Sequence, residues 1–422
     1  MLTAIVGINW GDEGKGRMVD LLSSDYDVVC RYQGGNNAGH TVENDRGKFI
    51  LNLLPSGILR ETTVNVIGNG VVVDIEHLDK EINALKEKGI KITPDNLKLS
   101  DKAIICMPYD KAQDIMEEER LADKAYGSTK RGIAYVYGDK YMKKALRMAD
   151  LLEVETLESK LKTIVDFKNV VLKGYGKDPV SLDECMNWLK TYGDHIKQYI
   201  TDTGLYLNKA LDEGKNVMFE AQLGALRDID FGIYPYTSSS TTLASYGPIG
   251  AGIPGAKLDT SIGIMKAYSS CVGEGPFTIE LFGEEGEALR KAGGEYGAAT
   301  GRPRRVGYFD AVASKYGCKV QGATYLALTK LDVLSYLDKI PVCVGYEIDG
   351  QVTTDFPVDD RLNKAKPVYE ILDGFGDVSN CRKYADLPEN AKKYIEYLEK
   401  LVGTPIKYIS VGAQRDAYLI KE

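Results

Sequence analysis

A short loop near the N terminus combines glycines, carboxylates and a lysine. Residues 10–17 read WGDEGKGR and follow an apolar run, residues 2–8, that predicts a buried strand. Glycines let a backbone approach a phosphate closely, and the N–H groups at the start of a helix bind anions. A carboxylate such as Asp12 can hold Mg²⁺ or accept a proton. The loop therefore predicts a phosphate site with its own acid–base group.

The loop is similar to a P-loop but lacks two of its defining residues. A Walker A motif reads Gly-x-x-x-x-Gly-Lys-Ser/Thr. With Gly14 and Lys15 as its Gly-Lys pair, Asn9 stands at the first glycine position and Gly16 at the hydroxyl position. Asp12 is then the candidate Mg²⁺ ligand. The alternative is a solvated turn whose acidic residues favour the helix dipole.

A second cluster of amides and glycines follows the next apolar run. Residues 31–41 read RYQGGNNAGHT, and His40 is the one histidine of three that lies in such surroundings. An imidazole there can donate a proton or a hydrogen bond to developing negative charge. We predict a functional role for His40, and a structural or surface role for His77 and His195 on predicted helices.

A third cluster is strongly basic. Residues 297–305 read GAATGRPRR, with three arginines in a glycine-flanked loop. Guanidinium groups bind carboxylates and phosphates through two parallel hydrogen bonds, so the loop suits an anionic substrate. A solvated basic turn is the alternative.

A fourth cluster, TKLD at residues 329–332, ends an apolar run. A Lys-x-Asp pair at a strand end is typical of proteins that bind GTP. The carboxylate accepts hydrogen bonds from N1–H and the 2-amino group of guanine, a pair that adenine does not offer.

Composition and charge narrow the class of protein. The 422 residues include 53 Lys and Arg against 61 Asp and Glu, a net charge of −8, which argues against a large nucleic-acid surface. The seven cysteines are scattered and form no CxxC motif, as expected of buried thiols in a reducing compartment. We find no signal peptide and no apolar run long enough to span a bilayer. We therefore expect a cytoplasmic enzyme that binds neither membranes nor nucleic acid.

Apolar, β-branched runs alternate with helical patterns along the chain. We predict strands within residues 2–8, 27–32, 49–54, 64–68, 216–220, 261–266, 324–330, 341–346 and 406–411, mostly buried on both faces. We predict helices at residues 74–88, at 181–213 behind a capping box, and at 388–401. This order predicts one α/β domain over residues 1–422: a large, mainly parallel, twisted sheet flanked by helices, P-loop-NTPase-like, with helical and small β excursions. Ligands bind at the carboxyl ends of such strands, where the four clusters fall.

Together the clusters resemble the adenylosuccinate synthetase family over essentially the whole chain and in the same order. The matching segments are WGDEGKG at 10–16, RYQGGNNAGHT at 31–41, LLPSGIL at 53–59, IGNGVV at 67–72, DIDFGIYPY at 228–236, KAYSSCVGEGPF at 266–277, GAATGRPRR at 297–305, TKLDVL at 329–334 and SVG at 410–412. The resemblance implies GTP-dependent ligation of IMP and L-aspartate to adenylosuccinate, with release of GDP and phosphate, in AMP biosynthesis.

The resemblance also implies a mechanism. Asp12 removes the N1 proton of IMP, and O6 attacks the γ-phosphate of GTP to form 6-phosphoryl-IMP. The amino group of aspartate then displaces phosphate from C6. His40 acts as the acid or hydrogen-bond donor, while Lys15 and Mg²⁺, one ion per subunit, spread the charge. The implied ligands of Mg²⁺ are Asp12 and the carbonyl of Gly39.

Three binding sets follow from the same resemblance. The GTP set is Gly11, Asp12, Glu13, Gly14, Lys15, Gly16, Arg17, Gly39, His40, Thr41, Arg304, Lys330, Leu331, Asp332, Ser410, Val411 and Gly412. The IMP set is Asp12, Glu13, Gly14, Lys15, Asn37, Ala38, Gly39, His40, Thr129, Lys143, Gln222, Thr237 and Arg302. The aspartate set is Ala298, Ala299, Thr300, Gly301, Arg302, Pro303 and Arg304.

Four departures from the family pattern bear on these sets. The resemblance implies a homodimer in which the partner contributes an arginine to the IMP phosphate, but this chain has Lys143 there, which keeps the charge and loses the bidentate fork. Residues 129–135 lack a glycine–proline pair that follows in many relatives. Gln222 lies one residue away from the expected glutamine. Pro303 should stiffen the arginine loop.

Two other functions stay open on the residues alone. One is a different nucleotide-dependent ligase or kinase with a P-loop-like site. The other is a GTP-binding switch without catalysis, which would tolerate the loss of Asp12.

Overall fold

A ten-stranded sheet forms the centre of the molecule. The computed structural model describes residues 1–44, 47–297, 301–414 and 416–421. In spatial order the strands are Tyr418–Ile420, Ile406–Ser410, Tyr325–Thr329, Thr260–Lys266, Leu2–Gly7, Val217–Glu220, Val28–Arg31, Val64–Ile67, Leu97–Ser100 and Ile200–Thr201. All neighbours are parallel except Tyr418–Ile420, which runs antiparallel to Ile406–Ser410. The predicted α/β class with a mainly parallel sheet is confirmed.

The register of the central strands brings the polar clusters together. Every residue of Leu2–Gly7, Val217–Glu220 and Val28–Arg31 is buried, as expected of strands that are covered on both faces. Ile5 pairs with Glu220, and Glu220 pairs with Arg31. The loops that leave these three strands therefore start side by side at one edge of the sheet.

Helices connect the strands. Their bounds are Lys15–Leu22, Ile75–Glu87, Pro108–Leu121, Ile133–Met142, Val154–Gly174, Leu182–Ile196, Thr203–Asp212, Gly247–Ala251, Gly283–Gly293, Ala311–Gln321 and Glu389–Val402. The predicted helix at 74–88 is confirmed as Ile75–Glu87. Asp74 caps it by accepting a hydrogen bond from the His77 N–H. The helix predicted at 388–401 is confirmed as well, and it ends at Gly403 with φ +73°.

The single helix predicted at residues 181–213 is wrong. Ser181 caps Leu182–Ile196 as expected, but Asp202 caps a second helix, Thr203–Asp212, by accepting from the Leu205 N–H. Between them, Ile200–Thr201 pairs with the last residues of Leu97–Ser100 at the sheet edge. Backbone pairing with the sheet and a second capping residue outweigh the continuous helical pattern.

Two predicted strands belong to other sheets. Gly47–Leu51 forms a hairpin with His40–Asn44, and its Phe49 and Leu51 are buried whereas Lys48 and Ile50 are exposed. It is therefore not a strand buried on both faces. Lys339–Ile348 lies in a small sheet whose other strands are Phe309–Asp310, Gln351–Thr353 and Lys366–Asp373.

Two short strand pairs lie outside the ten-stranded sheet. Ser269–Cys271 pairs antiparallel with Arg305–Gly307, which anchors one end of the arginine loop. Val72–Val73 pairs in parallel with Ile104–Ile105.

All seven cysteines are unpaired thiols. Within the described ranges, no helix is both long and apolar enough to cross a bilayer.

Candidate active site

The N-terminal loop is held closed by its own glutamate. Oε1 of Glu13 accepts hydrogen bonds from the backbone N–H of Asn9 (3.1 Å) and Gly11 (2.8 Å), and Oε2 accepts from Nζ of Lys15 at 2.7 Å. Glu13 is buried. Its carboxylate therefore shapes the loop, and only its backbone is available to the ligands that we expected it to contact.

Left-handed backbone lets this loop turn sharply into the first helix. Gly11 and Gly14 have φ of 102° and 100°, where glycine carries no steric cost, and Asp12 has φ of 59°. Gly14 is the N-cap of Lys15–Leu22 and provides no side-chain hydrogen bond to the helix. The first N–H groups of the helix consequently face the loop without a side-chain cap, which is the arrangement that binds phosphates.

His40 is oriented by a buried carboxylate. Nδ1 of its ring lies 2.6 Å from Oε1 of Glu220, the last residue of a central strand. The other oxygen of Glu220 accepts from the Ser56 N–H at 2.7 Å. Burial alone would raise the pKa of Glu220, but His40, Arg31 and Ser56 outweigh it and hold the pKa below its usual range. Glu220 is therefore an anion that holds the ring of His40 through Nδ1.

Two amide residues predicted to bind the same substrate are in direct contact. Nε2 of Gln222 donates to Oδ1 of Asn37 at 2.5 Å, and Oε1 of Gln222 accepts from Arg31. Oδ1 of Asn37 also accepts from the backbone N–H of Gly35 at 3.1 Å. A Cβ atom at Gly34 would lie within 2.4 Å of the Gln222 amide, so glycine is required for this approach. The pair is thus locked before any ligand arrives.

These residues surround one cleft at the carboxyl ends of the central strands. Its lining consists of Asp12, Gly14, Lys15, Gly16, Asn37, Ala38, Gly39, His40, Thr41, Gln222, Leu223 and Arg304. All of them except Leu223 were predicted from the sequence. The cleft joins the loops that follow three neighbouring strands and the arginine loop.

Arg304 connects the arginine loop to Asp12. Its Nε lies 3.1 Å from Oδ2 of Asp12, and its Nη1 donates to Oε2 of Glu295 at 2.9 Å. Burial would lower the pKa of Arg304, but the charges of Asp12 and Glu295 raise it. Nε is buried and makes no hydrogen bond to any described residue. Arg304 thus presents a charged donor beside the candidate base.

The rest of the arginine loop is only partly described. Gly301 has φ of 65°, and Arg302 is exposed with its Nη2 3.7 Å from Oε1 of Glu274. Pro303 forms a β-bridge with Tyr296. The predicted residues Ala298, Ala299 and Thr300 lie outside the described residues.

The predicted guanine end lies next to the C-terminal loop. Arg17 donates through Nη1 to Oγ of Ser410 (2.8 Å) and to the carbonyl of Gly412 (2.6 Å), tying the first helix to that loop. Burial raises the pKa of Asp332, although Lys330 and Arg17 oppose the shift. Nζ of Lys330 donates to the Gly293 carbonyl at 2.7 Å. Leu331 and Val411 are buried.

Five predicted IMP residues do not line the cleft, and one of them is the buried Glu13 described above. Thr129, Lys143 and Arg302 are exposed and Thr237 is half-buried. Lys143 caps the C-terminal end of Ile133–Met142 in a left-handed conformation, with φ of 61°.

Sequence reasoning missed three charged residues that organise the site: Arg31, Glu220 and Glu295, each with no exposed surface. A charged residue at the end of an otherwise apolar strand, as at Arg31 and Glu220, is a usable signal, because a buried charge needs a partner. Glu295 follows a surface helix, and its local sequence carries no comparable signal.

The chain is similar to known proteins over its full length. The family model for adenylosuccinate synthetase matches residues 4–419. The chain is similar to adenylosuccinate synthetases of Caldanaerobacter subterraneus subsp. tengcongensis, with 46% identity over 422 residues and 99% of each chain, and of Limosilactobacillus fermentum, with 47% identity over 419 residues, 99% of this chain and 97% of the relative.

Solved structures support the same relationship. A fully ligated adenylosuccinate synthetase from Plasmodium falciparum superposes with a TM-score of 0.93 and 36% identity, covering 100% of this chain and 99% of the other. A cyanophage S-2L succinoaminodeoxyadenylate synthetase bound to dGMP and dATP shares the fold, with a TM-score of 0.62, 17% identity and coverage of 99% and 95%. The chain therefore belongs to the adenylosuccinate synthetase family, enzymes that use GTP to ligate IMP and aspartate in AMP biosynthesis.

Proposed function

We propose that Asp12 and His40 divide the acid–base work of this reaction between two neighbouring loops of the cleft. Asp12 takes the N1 proton of IMP, so that O6 forms a bond to the γ-phosphorus of GTP while the bond to the β,γ-bridging oxygen breaks and GDP leaves. The amine of aspartate then bonds to C6 of 6-phosphoryl-IMP, inorganic phosphate departs, and the amine loses its proton. The observation that carries this proposal is that Asp12 and His40 line one cleft, with His40 held by the anionic Glu220.

The two residue types suit opposite directions of proton transfer. Asp12 stays partly exposed, with 38% of its side chain accessible, so it can reach a substrate in the cleft. His40 is fixed through Nδ1 by the carboxylate of Glu220, and in a doubly protonated ring Nε2–H is the second donor. Nε2 therefore donates a proton or hydrogen bond to the oxygen on which charge develops.

The N-terminal loop binds the GTP phosphates in this proposal. Lys15 lies in the cleft lining, and the uncapped start of Lys15–Leu22 adds backbone donors. Phosphoryl transfer depends mainly on placement and charge neutralisation, so a rigid loop with a fixed lysine is what the step requires. Glu13 contributes by closing the loop and aligning Lys15.

We assign the other parts of the substrates to further residues of the predicted binding sets. We assign IMP to Asn37, Gln222 and the flanking segment 38–40, because the two amides are already locked together. The guanine base is assigned to Lys330–Asp332 and the loop at 410–412, and aspartate to the arginine loop with Arg304. Since these sets draw on residues from 11 to 412, the chain works as one catalytic unit.

Mg²⁺ fits this site only as a partner of the substrate phosphates. No group of three or more His, Cys, Asp or Glu side chains that could hold a metal occurs among the residues described. Asp12 and the carbonyl of Gly39 offer hard oxygen donors, and a Cβ at Gly39 would meet nothing within 4 Å, so there is room beside it. Mg²⁺ typically keeps several waters and uses one or two carboxylates plus phosphates. When bound, the ion would neutralise phosphate charge, with Asp12 and the Gly39 carbonyl as its protein ligands.

We also propose a cytoplasmic homodimer in which Lys143 reaches the IMP phosphate of the partner. Lys143 is exposed at a helix end and does not line the cleft of its own chain. An exposed cation away from its own site is free to serve a second copy.

A positional isotope experiment tests the order of steps. GTP labelled with ¹⁸O in the β,γ-bridge is incubated with Mg²⁺ and IMP without aspartate. Transfer to O6 releases the bridging oxygen into the β-phosphate of GDP, where it rotates among equivalent positions before the reverse step. Scrambling that requires IMP supports the intermediate. Retention of the label in the bridge, with activity intact when aspartate is added, overturns the proposed order.

A further inference from the structure

A fully buried carboxylate lies between the arginine loop and the guanine-binding segment. Oε1 of Glu295 accepts from Nζ of Lys266 at 2.7 Å and from Nζ of Lys330 at 2.9 Å, and the Tyr268 hydroxyl donates to the same oxygen. Oε2 accepts from Nη1 of Arg304 at 2.9 Å. One side chain with no exposed surface therefore meets three cations from three separate segments.

The carboxylate is firmly ionised. Burial alone would raise the pKa of Glu295, but Lys266 and Lys330 outweigh it and hold the pKa well below its usual range. Lys266 is equally buried, and burial lowers its pKa to about 8 even though Glu295 opposes the shift. Charges in such a place need close partners, because an unpaired buried charge is strongly unfavourable. Loss of Glu295 would leave Lys266, Lys330 and Arg304 facing one another.

Lys330 is fixed at both ends of its side chain. Its backbone adopts φ of 59°, which few residues other than glycine adopt. Two residues later comes Asp332, the residue proposed to bind the guanine base. Its ammonium group donates to the Gly293 carbonyl as well as to Glu295. The position of the Lys-x-Asp segment thus depends on where Glu295 lies.

Arg304 is fixed by the same residue. Its backbone N–H donates to the carbonyl of Glu295 at 2.9 Å, and its guanidinium group donates to the carboxylate. A second guanidinium nitrogen, Nε, lies 3.1 Å from Oδ2 of Asp12. An unbroken series of contacts therefore runs from Asp12 through Arg304 and Glu295 to Lys330.

We propose that Glu295 is a positioning residue that couples recognition of the guanine base to the placement of Arg304 over Asp12. The inference rests on the proposed roles of Arg304 and of Lys330–Asp332. It adds that both roles depend on the position of Glu295. The arginine loop, which is proposed to bind aspartate, and Lys330–Asp332, which is proposed to bind the base, should therefore both be displaced when Glu295 is replaced.

The test is Glu295→Gln, which keeps the shape and removes the charge. The matched control is Glu280→Gln, because Glu280 pairs with Arg305, the next arginine of the same loop, outside the cleft lining. For each variant kcat and the KM values for GTP, ITP and aspartate are measured. ITP lacks the 2-amino group that Asp332 is proposed to bind.

We expect Glu295→Gln to raise KM for both GTP and aspartate by about 10-fold, within the range typical of coupled sites, and to reduce the preference for GTP over ITP. Glu280→Gln should change neither KM nor the preference. A rise confined to one substrate, or unchanged KM values in a folded variant, overturns the inference. If Glu295→Gln does not fold, Glu295→Asp keeps the charge but is too short to reach both Arg304 and Lys330, and a smaller joint rise in the two KM values is expected. Unchanged KM values in Glu295→Asp overturn the inference as well.

A second variant separates this inference from the proposed function. Asp332→Asn alone should lose the preference for GTP, and adding Glu295→Gln to it should cause little further loss of preference. If Asp332→Asn keeps the preference, the guanine assignment fails. If Asp332→Asn loses it and Glu295→Gln does not reduce it, only the coupling through Glu295 fails.

Discussion

Nδ1 of His40 lies 2.6 Å from a carboxylate oxygen of Glu220, although the two residues are 180 positions apart in the sequence. The strand that ends at Glu220 is central in the sheet, and His40 is the first residue of the hairpin that contacts its last residue. Glu220 in turn accepts from the backbone and hydroxyl of Ser56. The orientation of the candidate acid is therefore a property of the sheet rather than of its own loop.

Glu220→Gln should lower kcat by about 10²-fold, the lower end of the contribution of a positioned acid–base group. The neutral amide is a weaker acceptor for the Nδ1–H of His40, so it holds the ring less firmly. KM for GTP should change little, because Glu220 does not line the cleft. Steady-state kinetics of the variant provide the measurement, and a kcat within a few-fold of wild type would contradict the role.

Asp12→Asn should lower turnover by at least about 10²-fold, since an amide cannot remove the N1 proton. Nucleotide binding should persist, because Glu13 and Lys15 keep the loop closed. Phosphate release and GTP binding are measured in parallel. Asp25→Asn, an exposed carboxylate after the same helix, is the control and should behave as wild type. Full turnover in Asp12→Asn would favour a different base.

Asp332→Asn should reduce discrimination between GTP and ITP by about 10- to 100-fold, the value of one hydrogen bond to a charged acceptor. The ratio of kcat/KM for the two nucleotides reports the effect. Unchanged discrimination would remove Asp332 from base recognition, whereas a loss of all activity with both nucleotides would indicate a structural defect instead.

Mixed dimers test whether Lys143 acts on the partner. Chains with Asp12→Ala and chains with Lys143→Ala are each expected to be inactive. In a random mixture half of the dimers are mixed, and each mixed dimer holds one site with both residues intact, so about a quarter of wild-type activity should return. In the control mixture, chains with Lys144→Ala take the place of the chains with Lys143→Ala. Absence of recovery would place Lys143 outside the partner site.

The depressed pKa of Glu220 predicts an acid-dependent stability difference. Its carboxylate, although buried, is stabilised by His40 and Arg31, so its pKa in the folded protein lies below the usual 4.5. A lowered pKa contributes stability at pH values above 4.5, and that contribution is lost as the pH falls through the folded value. At pH 7 Glu220→Gln should lower the free energy of unfolding by about 1–3 kcal/mol. The difference from wild type should shrink towards pH 3, and a constant difference would contradict the assignment.

The sequence by itself determined the fold class and most of the cleft. Parallel strands covered on both faces appear as continuous apolar runs, and glycines mark the turns that need left-handed backbone, as at Gly11 and Gly14. Because such strands end at one edge of a sheet, the residues that follow them could be expected to meet. The cleft lining agrees with that expectation from Asp12 to Arg304.

Only the tertiary structure decided which charges pair across the chain. Glu220 reaches His40 from 180 positions away, and Glu295 reaches Lys330 and Lys266 from 35 and 29 positions away. It also divided the helical pattern at residues 181–213, because the edge of the sheet offered backbone partners to Ile200–Thr201. Local sequence sets backbone preferences within a few residues, whereas charge pairing and strand recruitment depend on which segments the sheet order makes neighbours.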